Sequence, residues 1–309
     1  MKAIQFEQYG PADVLKIKEV DLPILKSGQL LVKVKAFGIN PIDWKLRSGA
    51  MKSFIPLPLP YILGSEVSGI VTEVSSDVSN FKAGDRIYSR TQHAYAEYVI
   101  VNAEDAQTIP QFLNFAEAAS LPSGSQVAYS ALKTMGHIQK NQKVLIHAGA
   151  GGVGSAAIQI AKSFGAHVTT TVSTDNIHLA EQLGADVIID YKKSRISNLN
   201  QKFDLIIDTV GGQTQIDSWE LLNDKGTLVT LVSDESSQFR TPNHQQKFIF
   251  MRGVQSNATN EIHQLIESGH LKPVIDSVYD FSDIAKAHIK SETGHVSGKL
   301  VVTIDEISL

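Results

Sequence analysis

The sequence predicts a two-domain α/β protein, in which a small, partly open β-barrel accompanies a doubly wound parallel sheet. Short β-type segments separated by turn residues fill the first 121 residues, and strands alternate with helices from about Leu121 onward. The closing segment Gly298–Ile304 is strand-like again, which indicates that the chain returns to its first domain. We therefore predict a first domain of residues 1–121 and 260–309 and a second domain of residues 122–259.

The β-type segments of the first half are rich in branched and aromatic residues and are bounded by Gly, Asp and Pro. Apolar and polar residues alternate from Val32 within Leu30–Ala36, as is typical of a half-buried antiparallel strand. Three prolines between Ile55 and Pro60 predict a loop. The predicted strands are Ala3–Phe6, Val14–Ile17, Leu30–Phe37, Val67–Val74, Arg86–Tyr88 and Tyr95–Val101.

Strand–helix alternation in the second half implies right-handed crossovers and a parallel sheet. Ser282 is placed to cap the last helix. The predicted strands are Lys143–Ala148, His167–Val172, Val187–Asp190, Leu205–Asp208, Thr227–Val232, Phe248–Val254, Val274–Val278 and Gly298–Ile304. The predicted helices are Val153–Phe164, Ile177–Leu183, Asn260–Glu267 and Asp283–Ile289.

Composition and charge exclude several classes of function. The sequence contains no cysteine, which excludes disulfides, thiol nucleophiles, iron–sulfur clusters and zinc sites built on thiolates. With 28 Lys and Arg against 32 Asp and Glu, the net charge of −4 gives no basic surface for nucleic acid or anionic lipid. Neither a secretory signal nor an apolar run of the roughly 18 residues that span a bilayer is visible. We therefore expect a cytoplasmic protein without a nucleic-acid or membrane partner.

A glycine-rich turn is the clearest motif of the second half. Residues Gly149–Gly154 read Gly-Ala-Gly-Gly-Val-Gly, follow an apolar strand and open a helix, as G-x-G-x-x-G does in dinucleotide-binding proteins. The glycines allow close approach of a pyrophosphate, and the helix N-terminus offers N–H groups and a favourable dipole. A turn that merely packs is the alternative, but the two contexts together favour dinucleotide binding.

The end of the next strand bears on the choice between NAD and NADP. An acidic residue about 20 positions after the first glycine would bond the ribose of NAD. The segment Thr169–Thr174 has no carboxylate, and the next one is Asp175. Hydroxyl groups can donate to a 2′-phosphate without repelling it, and Lys192 and Lys193 add positive charge. Threonine also suits strands for conformational reasons, so the pattern favours NADP and leaves NAD as the alternative.

Further short motifs support a resemblance to a known family. They are Gly38–Gly49, Leu63–Gly69, Ala83–Arg86, Asp208–Gly212 and Ser297–Leu300. With the glycine-rich turn, they make the chain resemble the medium-chain dehydrogenase/reductase superfamily over essentially its whole length. Within it the match is to the zinc-free quinone oxidoreductases and their alkenal/enone reductase relatives. The resemblance implies a GroES-like barrel domain, built from both chain ends, plus a Rossmann domain.

The resemblance also bears on the metal. Zinc alcohol dehydrogenases of this superfamily place a Cys where this chain has Asn40 and a His where it has Ser65. An amide and a hydroxyl are poor zinc ligands, since catalytic zinc takes three protein donors from Cys, His or carboxylates. The connection between Arg86 and Tyr98 is too short for the structural-zinc lobe. We therefore expect no metal.

Without zinc, the negative charge that hydride transfer places on a carbonyl oxygen needs another partner. The resemblance implies that Lys45, in the N-P-x-D-x-K segment, reaches the nicotinamide end of the cofactor, and that Asn40 lies beside the nicotinamide. A solvated loop lysine and a turn former before Pro41 are the alternatives. We expect Asp43 to be a buried structural acid or a partner of Lys45.

The resemblance implies a set of cofactor contacts along both domains. Two of them depart from the quinone reductases, which often have Lys in place of Asn176 and Thr in place of Val127. His147 is expected to be a strand-end residue rather than a proton shuttle. The resemblance implies that the backbone of Gly152 and Val153 donates to the pyrophosphate and that Ser173, Thr174 and Asn176 lie at the 2′-phosphate. It also implies that Tyr191 packs near the adenine ribose and that residues 231–233 meet the nicotinamide ring. The expected cofactor-binding residues are Asn40, Lys45, Val127, Gly151, Gly152, Val153, Ser173, Thr174, Asn176, Tyr191, Leu231, Val232, Ser233 and Lys299.

These inferences combine into one expected function. We expect a zinc-independent enzyme that transfers a hydride from NADPH to quinones or α,β-unsaturated carbonyl compounds, with Lys45 and Asn40 as its catalytic residues. A non-catalytic NADPH-binding or regulatory protein and an NAD-dependent alcohol dehydrogenase are the alternatives. Homodimerisation is a further expectation from the resemblance.

Overall fold

The computed structural model describes residues 1–234, 237, 245–255 and 257–304. Its strands are β1 (Lys2–Phe6), β2 (Lys16–Glu19), β3 (Gln29–Ile39), β4 (Tyr61–Ile62), β5 (Glu66–Val74), β6 (Arg86–Arg90), β7 (Tyr98–Asn102), β8 (Ala106–Thr108), β9 (Lys143–Ile146), β10 (His167–Val172), β11 (Val187–Asp190), β12 (Phe203–Asp208), β13 (Leu222–Thr230), β14 (Lys247–Phe250), β15 (Ile275–Asp280) and β16 (Lys299–Thr303). Its α-helices are α1 (Pro41–Ser48), α2 (Phe115–Ala119), α3 (Pro122–Tyr129), α4 (Gly152–Ser163), α5 (Ile177–Gln182), α6 (Gly212–Ser218), α7 (Thr259–Glu267) and α8 (Ile284–Glu292).

The chain folds into two units that are not consecutive halves. The first contains Met1–Ser123 and the chain from Pro273 onward, and the second contains Gly124–Lys272. The second unit thus ends 13 residues later than the predicted limit at 259, because helix α7 packs within it. Gln126 Nε2 at the start of this unit donates to Thr259 Oγ1 over 2.8 Å, which ties α7 to α3.

The strands of the first unit pair antiparallel, except that β15 runs parallel to β16. A seven-stranded sheet has the order β15-β16-β3-β5-β6-β8, and β7 pairs with β3 as well. Strand β16 runs antiparallel to β3, with Leu300 opposite Ile39, so the last strand of the chain completes the sheet that β3 begins. Strands β2, β1 and β4 form a separate three-stranded sheet. The core between these strands contains Phe6, Phe37 and Tyr95, each almost fully buried.

The second unit holds a parallel six-stranded sheet in the order β11-β10-β9-β12-β13-β14. Counted from β9, this order is 3-2-1-4-5-6, the order of doubly wound dinucleotide-binding sheets. Its central strands are buried runs of apolar residues, such as Val144–Ile146 and Leu205–Ile207, because helices cover a parallel sheet on both faces. The strand order reverses between β9 and β12, and ligands of such sheets bind at the carboxyl ends of the strands at this point.

Several predicted elements have different limits in the structure. Helix α1 was not predicted, although Pro41 occupies its first turn, where a missing N–H costs nothing. The predicted strand at Tyr95 begins at Tyr98 instead, since the backbone N–H of Tyr95 bonds to Leu63. The predicted cap Ser282 was wrong: it lies within a 3₁₀ turn before α8.

Candidate functional site

The glycine-rich turn between β9 and α4 is shaped by close packing. Ala148 adopts a φ of 50°, a left-handed conformation that few non-glycine residues take. A Cβ on Gly154 would lie 2.1 Å from the carbonyl oxygen of Ala148, so only glycine fits there. At Gly151, by contrast, a Cβ would come no closer than 3.4 Å to the Ala148 oxygen. Packing within the chain therefore requires Gly154, whereas at Gly151 glycine leaves space that a ligand can use.

The first turn of α4 provides backbone donors beside that space. Gly151 occupies the N-cap position and, as glycine, offers no capping side chain. Gly152 and Val153 follow at the helix start and are half-buried. Their N–H groups lie at the positive end of a 12-residue helix, which suits a phosphate. The predicted pyrophosphate donors Gly152 and Val153 thus share one accessible helix end with Gly151, a further predicted cofactor contact, and the residues fit a dinucleotide.

Polar side chains gather where β10 and β11 end. Asn176 Nδ2 donates to Ser173 Oγ over 3.1 Å, which leaves the hydroxyl hydrogen of Ser173 for a ligand. Thr174 Oγ1 donates to Asp190 Oδ2 over 2.6 Å, so its hydrogen is already committed. This bond holds the pKa of Asp190 below its usual value. Among the predicted phosphate ligands, Ser173 is therefore better placed than Thr174 to donate.

Charges of both signs surround this strand end. Lys192 Nζ lies 3.4 Å from Asp175, and Lys193 Nζ lies 3.6 Å from Asp190. Tyr191, predicted to pack near the adenine ribose, is 51% exposed and available for such stacking. The two lysines offset the two carboxylates, so an added phosphate would meet no net negative charge here.

Buried polar groups fix the turn after β12 and the segment after β13. The carboxylate of Asp208 accepts from the backbone N–H groups of Val210 and Gly211 and from the side chains of Gln215 and Thr230. Gln215 also donates to the carbonyl oxygen of Ser233 over 3.0 Å. This network sets the course of the segment in which the predicted nicotinamide contacts are found, namely Leu231, Val232 and Ser233. Val127, a further predicted contact, lies half-buried on α3.

His147 lies directly after β9 and is fully buried. Its ring nitrogens contact Thr171 Oγ1 at 3.2 Å and Ser218 Oγ at 2.9 Å. Burial lowers the pKa of His147 to about 4, against a smaller opposing effect of Asp208. A neutral, enclosed imidazole between two hydroxyls is a structural residue, as the sequence analysis expected.

In the first unit, Asn40 is the N-cap residue of α1. Its backbone N–H donates to Asp43 Oδ2 over 2.8 Å. Its side-chain nitrogen donates to Ser65 Oγ over 3.1 Å and to Glu66 Oε1 over 2.8 Å. Its side-chain oxygen accepts from Lys299 Nζ over 2.5 Å. The amide of Asn40 is thus the centre of a polar group contributed by four parts of the chain.

We call this group the Asn40 cluster and define it as Asn40, Ser65, Glu66, Ser123 and Lys299. It encloses an ion pair: Lys299 Nζ lies 2.5 Å from Glu66 Oε1, and the side chains are 6% and 0% exposed. The second carboxylate oxygen of Glu66 accepts from the backbone N–H of Ser123 over 2.7 Å. Each charge therefore has a partner, as burial requires.

Strand β3 leaves room for this ion pair. A Cβ on Gly38 would lie 2.3 Å from Glu66 Oε1, so any larger residue there would displace the carboxylate. Lys299, predicted as a cofactor contact, is thereby engaged inside the first unit, and its contact with a cofactor stays a prediction. The buried role of Glu66 was missed, although its place next to Val67 in the motif Leu63–Gly69 was the available signal.

The donor set of the Asn40 cluster does not suit a divalent metal. Asn40 and Ser65 supply an amide and a hydroxyl, and the Glu66 carboxylate already holds an ammonium group that would repel a cation. Throughout the described residues, no group of three His, Asp or Glu side chains is arranged to hold a metal ion. The cluster is a hydrogen-bonding site.

A second buried network lies beside α1 and α8. Tyr95 Oη donates to Asp43 Oδ2 over 2.9 Å and contacts His288 Nε2 at 3.2 Å. Arg47, one turn after Asp43, forms an ion pair with Glu292, one turn after His288. Burial raises the pKa of Asp43 to about 6, and burial together with Arg47 lowers the pKa of His288 to about 3. The network fixes α1 to α8 and thereby fixes the position of Asn40, the residue that precedes α1.

Of the two roles expected for Asp43, the buried structural acid is confirmed, since its side chain is buried. The other, a partner of Lys45, is wrong, since the two side chains form no ion pair. Lys45 is half-buried, and its ammonium group lies 5.8 Å from the ring centre of Trp44. Within the part of the chain that the structure describes, the Lys45 side chain makes no hydrogen bond or ion pair. Its charge is therefore available to a ligand.

Comparison with known proteins places this site in a family. Residues 26–163 match the alcohol dehydrogenase GroES-like domain, residues 183–302 match the zinc-binding dehydrogenase family, and residues 121–215 match the alanine dehydrogenase/PNT C-terminal domain. The chain is 36% identical over 318 residues to 2-methylene-furan-3-one reductase of Solanum lycopersicum, covering 98% of this chain and 79% of that protein. It is 34% identical over 317 residues to the chloroplastic NADPH-dependent alkenal/one oxidoreductase of Arabidopsis thaliana, with 98% and 79% covered.

A solved structure agrees with these relatives. The quinone oxidoreductase from Coxiella burnetii superposes with a TM-score of 0.88 at 34% identity, covering 99% of both chains. The site and the fold are those of a dinucleotide-dependent oxidoreductase with GroES-like and Rossmann domains, which confirms the predicted fold class. The chain belongs to the medium-chain dehydrogenase/reductase superfamily, among relatives that include quinone oxidoreductases and alkenal/enone reductases.

Proposed function

We propose that this protein is an NADPH-dependent reductase of α,β-unsaturated carbonyl compounds or quinones that works without zinc. The observation that supports it most is the Asn40 cluster, in which the Asn40 amide and the Ser65 hydroxyl replace the Cys and His of the zinc relatives and lie beside a buried ion pair. The named activities of the relatives, reduction of a methylene-furanone and of alkenals or enones, support the same substrate class.

The two units have separate tasks in this proposal. The turn Gly151–Val153 holds the pyrophosphate of NADP(H), and Ser173 with Asn176 holds its 2′-phosphate. Bound NADPH supplies the hydride, so the protein needs no redox group of its own. The first unit supplies hydrogen bonds and positive charge to the substrate oxygen, where negative charge develops when the β-carbon accepts a hydride. Lys45, whose ammonium group contacts only the ring of Trp44 among the described residues, has the charge for this role.

The first experiment is oxidation of NADPH by the purified protein with naphthoquinones, enals and enones. We expect absorbance at the NADPH band to fall with at least one of these acceptors and not without one. Absence of both NADPH binding and oxidation would contradict the proposal.

Replacement of Lys45 by Met tests its role in the proposed reaction. We expect turnover to fall by roughly 10²-fold, because a charge that stabilises the developing enolate is lost. The dissociation constant of NADPH, measured by fluorescence titration, should change much less. A larger effect on NADPH binding than on turnover would make Lys45 a cofactor contact only. Lys52, whose ammonium lies 5.2 Å from the ring centre of Tyr9, offers a matched control in Lys52→Met.

Two alternatives are distinguished by the same protein preparation. An alcohol dehydrogenase would oxidise alcohols with NAD and require added zinc. A non-catalytic NADPH-binding protein would bind the cofactor and reduce no acceptor. The donor set of the Asn40 cluster favours neither zinc nor alcohol oxidation.

We also propose a homodimer in the cytoplasm. None of the described helices is long and apolar enough to cross a membrane. Light scattering of the purified protein should give twice the mass of one chain, and a tagged chain should fractionate with soluble cytoplasmic markers.

A further inference from the structure

The Asn40 cluster has a fixed direction of hydrogen bonding that starts at Lys299. An ammonium group can only donate, so the amide oxygen of Asn40 must face Lys299 Nζ, 2.5 Å away. The amide nitrogen then faces the other side and donates one hydrogen to Glu66 Oε1 and the other to Ser65 Oγ. Both hydrogens of the Asn40 side chain are thereby used within the cluster.

Ser65 is the residue through which this series of hydrogen bonds can extend to a group outside the cluster. Its hydroxyl oxygen accepts from Asn40, so its own hydrogen must point elsewhere. Within the described residues the next acceptor is Ser123 Oγ at 3.4 Å, which is long for a bond between hydroxyls. Both serines are half-buried rather than enclosed. The hydroxyl of Ser65 can therefore rotate to a ligand without breaking a strong bond, whereas Asn40 cannot donate without breaking one.

The ion pair strengthens this hydroxyl as a donor. Lys299 draws electron density from the Asn40 amide, and the polarised N–H group in turn draws it from Ser65 Oγ. Hydrogen bonds linked in one direction strengthen one another in this way, more so in a low-dielectric interior. The Lys299 side chain is only 6% exposed, so its charge polarises this series of hydrogen bonds in such an interior.

We propose that Ser65 is the catalytic hydrogen-bond donor to the carbonyl oxygen of the substrate, and that Asn40 and Lys299 are positioning residues that orient and polarise it. This inference rests on the proposed function. In the reduction of an enone, bound NADPH would supply the hydride by breaking a C–H bond of its nicotinamide ring and would be left oxidised as NADP⁺. The hydride forms a C–H bond at the β-carbon, the C=C electron pair shifts toward the carbonyl carbon, and the C=O pair moves to oxygen. Ser65 keeps its proton and stabilises that oxyanion. The α-carbon of the enolate then takes a proton from water, which leaves hydroxide to the solvent.

Two substitutions at Ser65 and one control test the assignment with 3-penten-2-one as substrate. Ser65→Ala should lower kcat by roughly 10²-fold, the usual cost of losing one oxyanion donor, and leave the dissociation constant of NADPH unchanged. Ser65→Thr keeps the hydroxyl and should retain most of the activity. Ser68→Ala removes a buried hydroxyl from β5 that donates to the Phe115 carbonyl, and it should leave kcat unchanged.

A binding measurement separates this inference from the proposed function. The absorption of 4-nitrophenolate shifts to shorter wavelength when its oxygen accepts a hydrogen bond, and we expect this shift with the NADP⁺ complex of the wild type and not of Ser65→Ala. A wild-type enzyme that turns over while Ser65→Ala keeps near-full kcat overturns the inference and leaves the proposed function standing. If the wild type reduces no acceptor, the proposed function fails. If the nitrophenolate absorption is then the same with the wild type and with Ser65→Ala, shifted or not, the inference is overturned as well.

Discussion

The two units build their sites from different materials. The second unit uses backbone: a turn closed by Gly154 and the N-terminus of α4, with side chains serving mainly at the ends of β10 and β11. The first unit uses buried side-chain charge, with Glu66 and Lys299 paired behind Asn40. A backbone site tolerates changes in its surroundings as long as the turn keeps its shape. A site of buried charges depends on every partner, because removing one leaves another without compensation.

Removing one charge of the first unit should give the largest effect. Lys299→Met leaves the Glu66 carboxylate buried without its cation, and we expect a loss of about 3–5 kcal/mol in the free energy of unfolding. The double variant Glu66→Gln/Lys299→Met should recover most of it. For comparison, Lys162→Met in the second unit breaks a partly exposed ion pair with Asp186 and should cost about 1 kcal/mol or less. Equal losses for Lys299→Met and Lys162→Met, measured by chemical denaturation, would remove the contrast between the units.

The backbone site can be broken by a single methyl group. Gly154→Ala places a Cβ 2.1 Å from the Ala148 oxygen, so the turn must open. We expect a stability loss of about 1–3 kcal/mol, as for overpacking, and loss of NADPH binding. Gly151→Ala should keep stability, since its Cβ meets nothing closer than 3.4 Å, yet weaken NADPH binding. Thermal unfolding and fluorescence titration report the two effects separately, and intact binding in Gly151→Ala would place the phosphate elsewhere.

The units should also respond differently to pH. The pKa of His147 is 6.5 unfolded and about 4 folded, so the unfolded state binds more protons between these values. The second unit therefore loses stability as pH falls from 6.5 to 4, by up to about 1.4 kcal/mol per pH unit. In the first unit, His288 acts in the same direction, whereas Asp43, with its pKa raised from 3.8 to about 6, gains stability as pH falls through that range. These two contributions oppose each other, so the stability of the first unit should change little with pH in this range.

One tryptophan in each unit makes that difference measurable. Trp44 lies in α1 and Trp219 follows α6. The variant Trp219→Phe keeps Trp44 and therefore reports on the first unit, and Trp44→Phe keeps Trp219 and reports on the second. Asp43→Asn should make the first unit pH-sensitive by leaving His288 unopposed. Parallel pH profiles for the two reporters in the wild type would contradict this account.

The smallest expected effect concerns the choice of cofactor. Ser173→Ala removes one hydroxyl from the predicted 2′-phosphate site, and its loss should reduce the preference for NADPH over NADH by roughly fivefold. Thr174→Val should change the preference less, because the Thr174 hydroxyl already donates to Asp190. The comparison of kcat/KM for the two cofactors checks this. A larger effect at Thr174 would mean that this hydroxyl turns toward the phosphate when NADPH binds.

The contrast between the units also explains what could be predicted from the sequence. The parallel sheet and the glycine-rich turn that follows β9 could be predicted because strand–helix periodicity and glycine spacing are local signals. The Asn40 cluster joins Asn40 to a lysine 259 positions away, and no local pattern shows such a pair. The resemblance marked Asn40 and Lys299 as site residues, but only the fold shows that they bond to each other. Arg47, Tyr95 and His288 were missed as a network for the same reason.

The position of strand β16 near the end of the chain determines when the Asn40 cluster can form during synthesis. A ribosome has made the entire glycine-rich turn once residue 154 is added, but the cation for Glu66 arrives only with Lys299. Until then the growing chain contains a carboxylate that has no buried partner, and β3 lacks its neighbour β16. The first unit is therefore begun first and finished last. A chain that stops before Lys299 would have its glycine-rich turn complete and its Asn40 cluster without a cation.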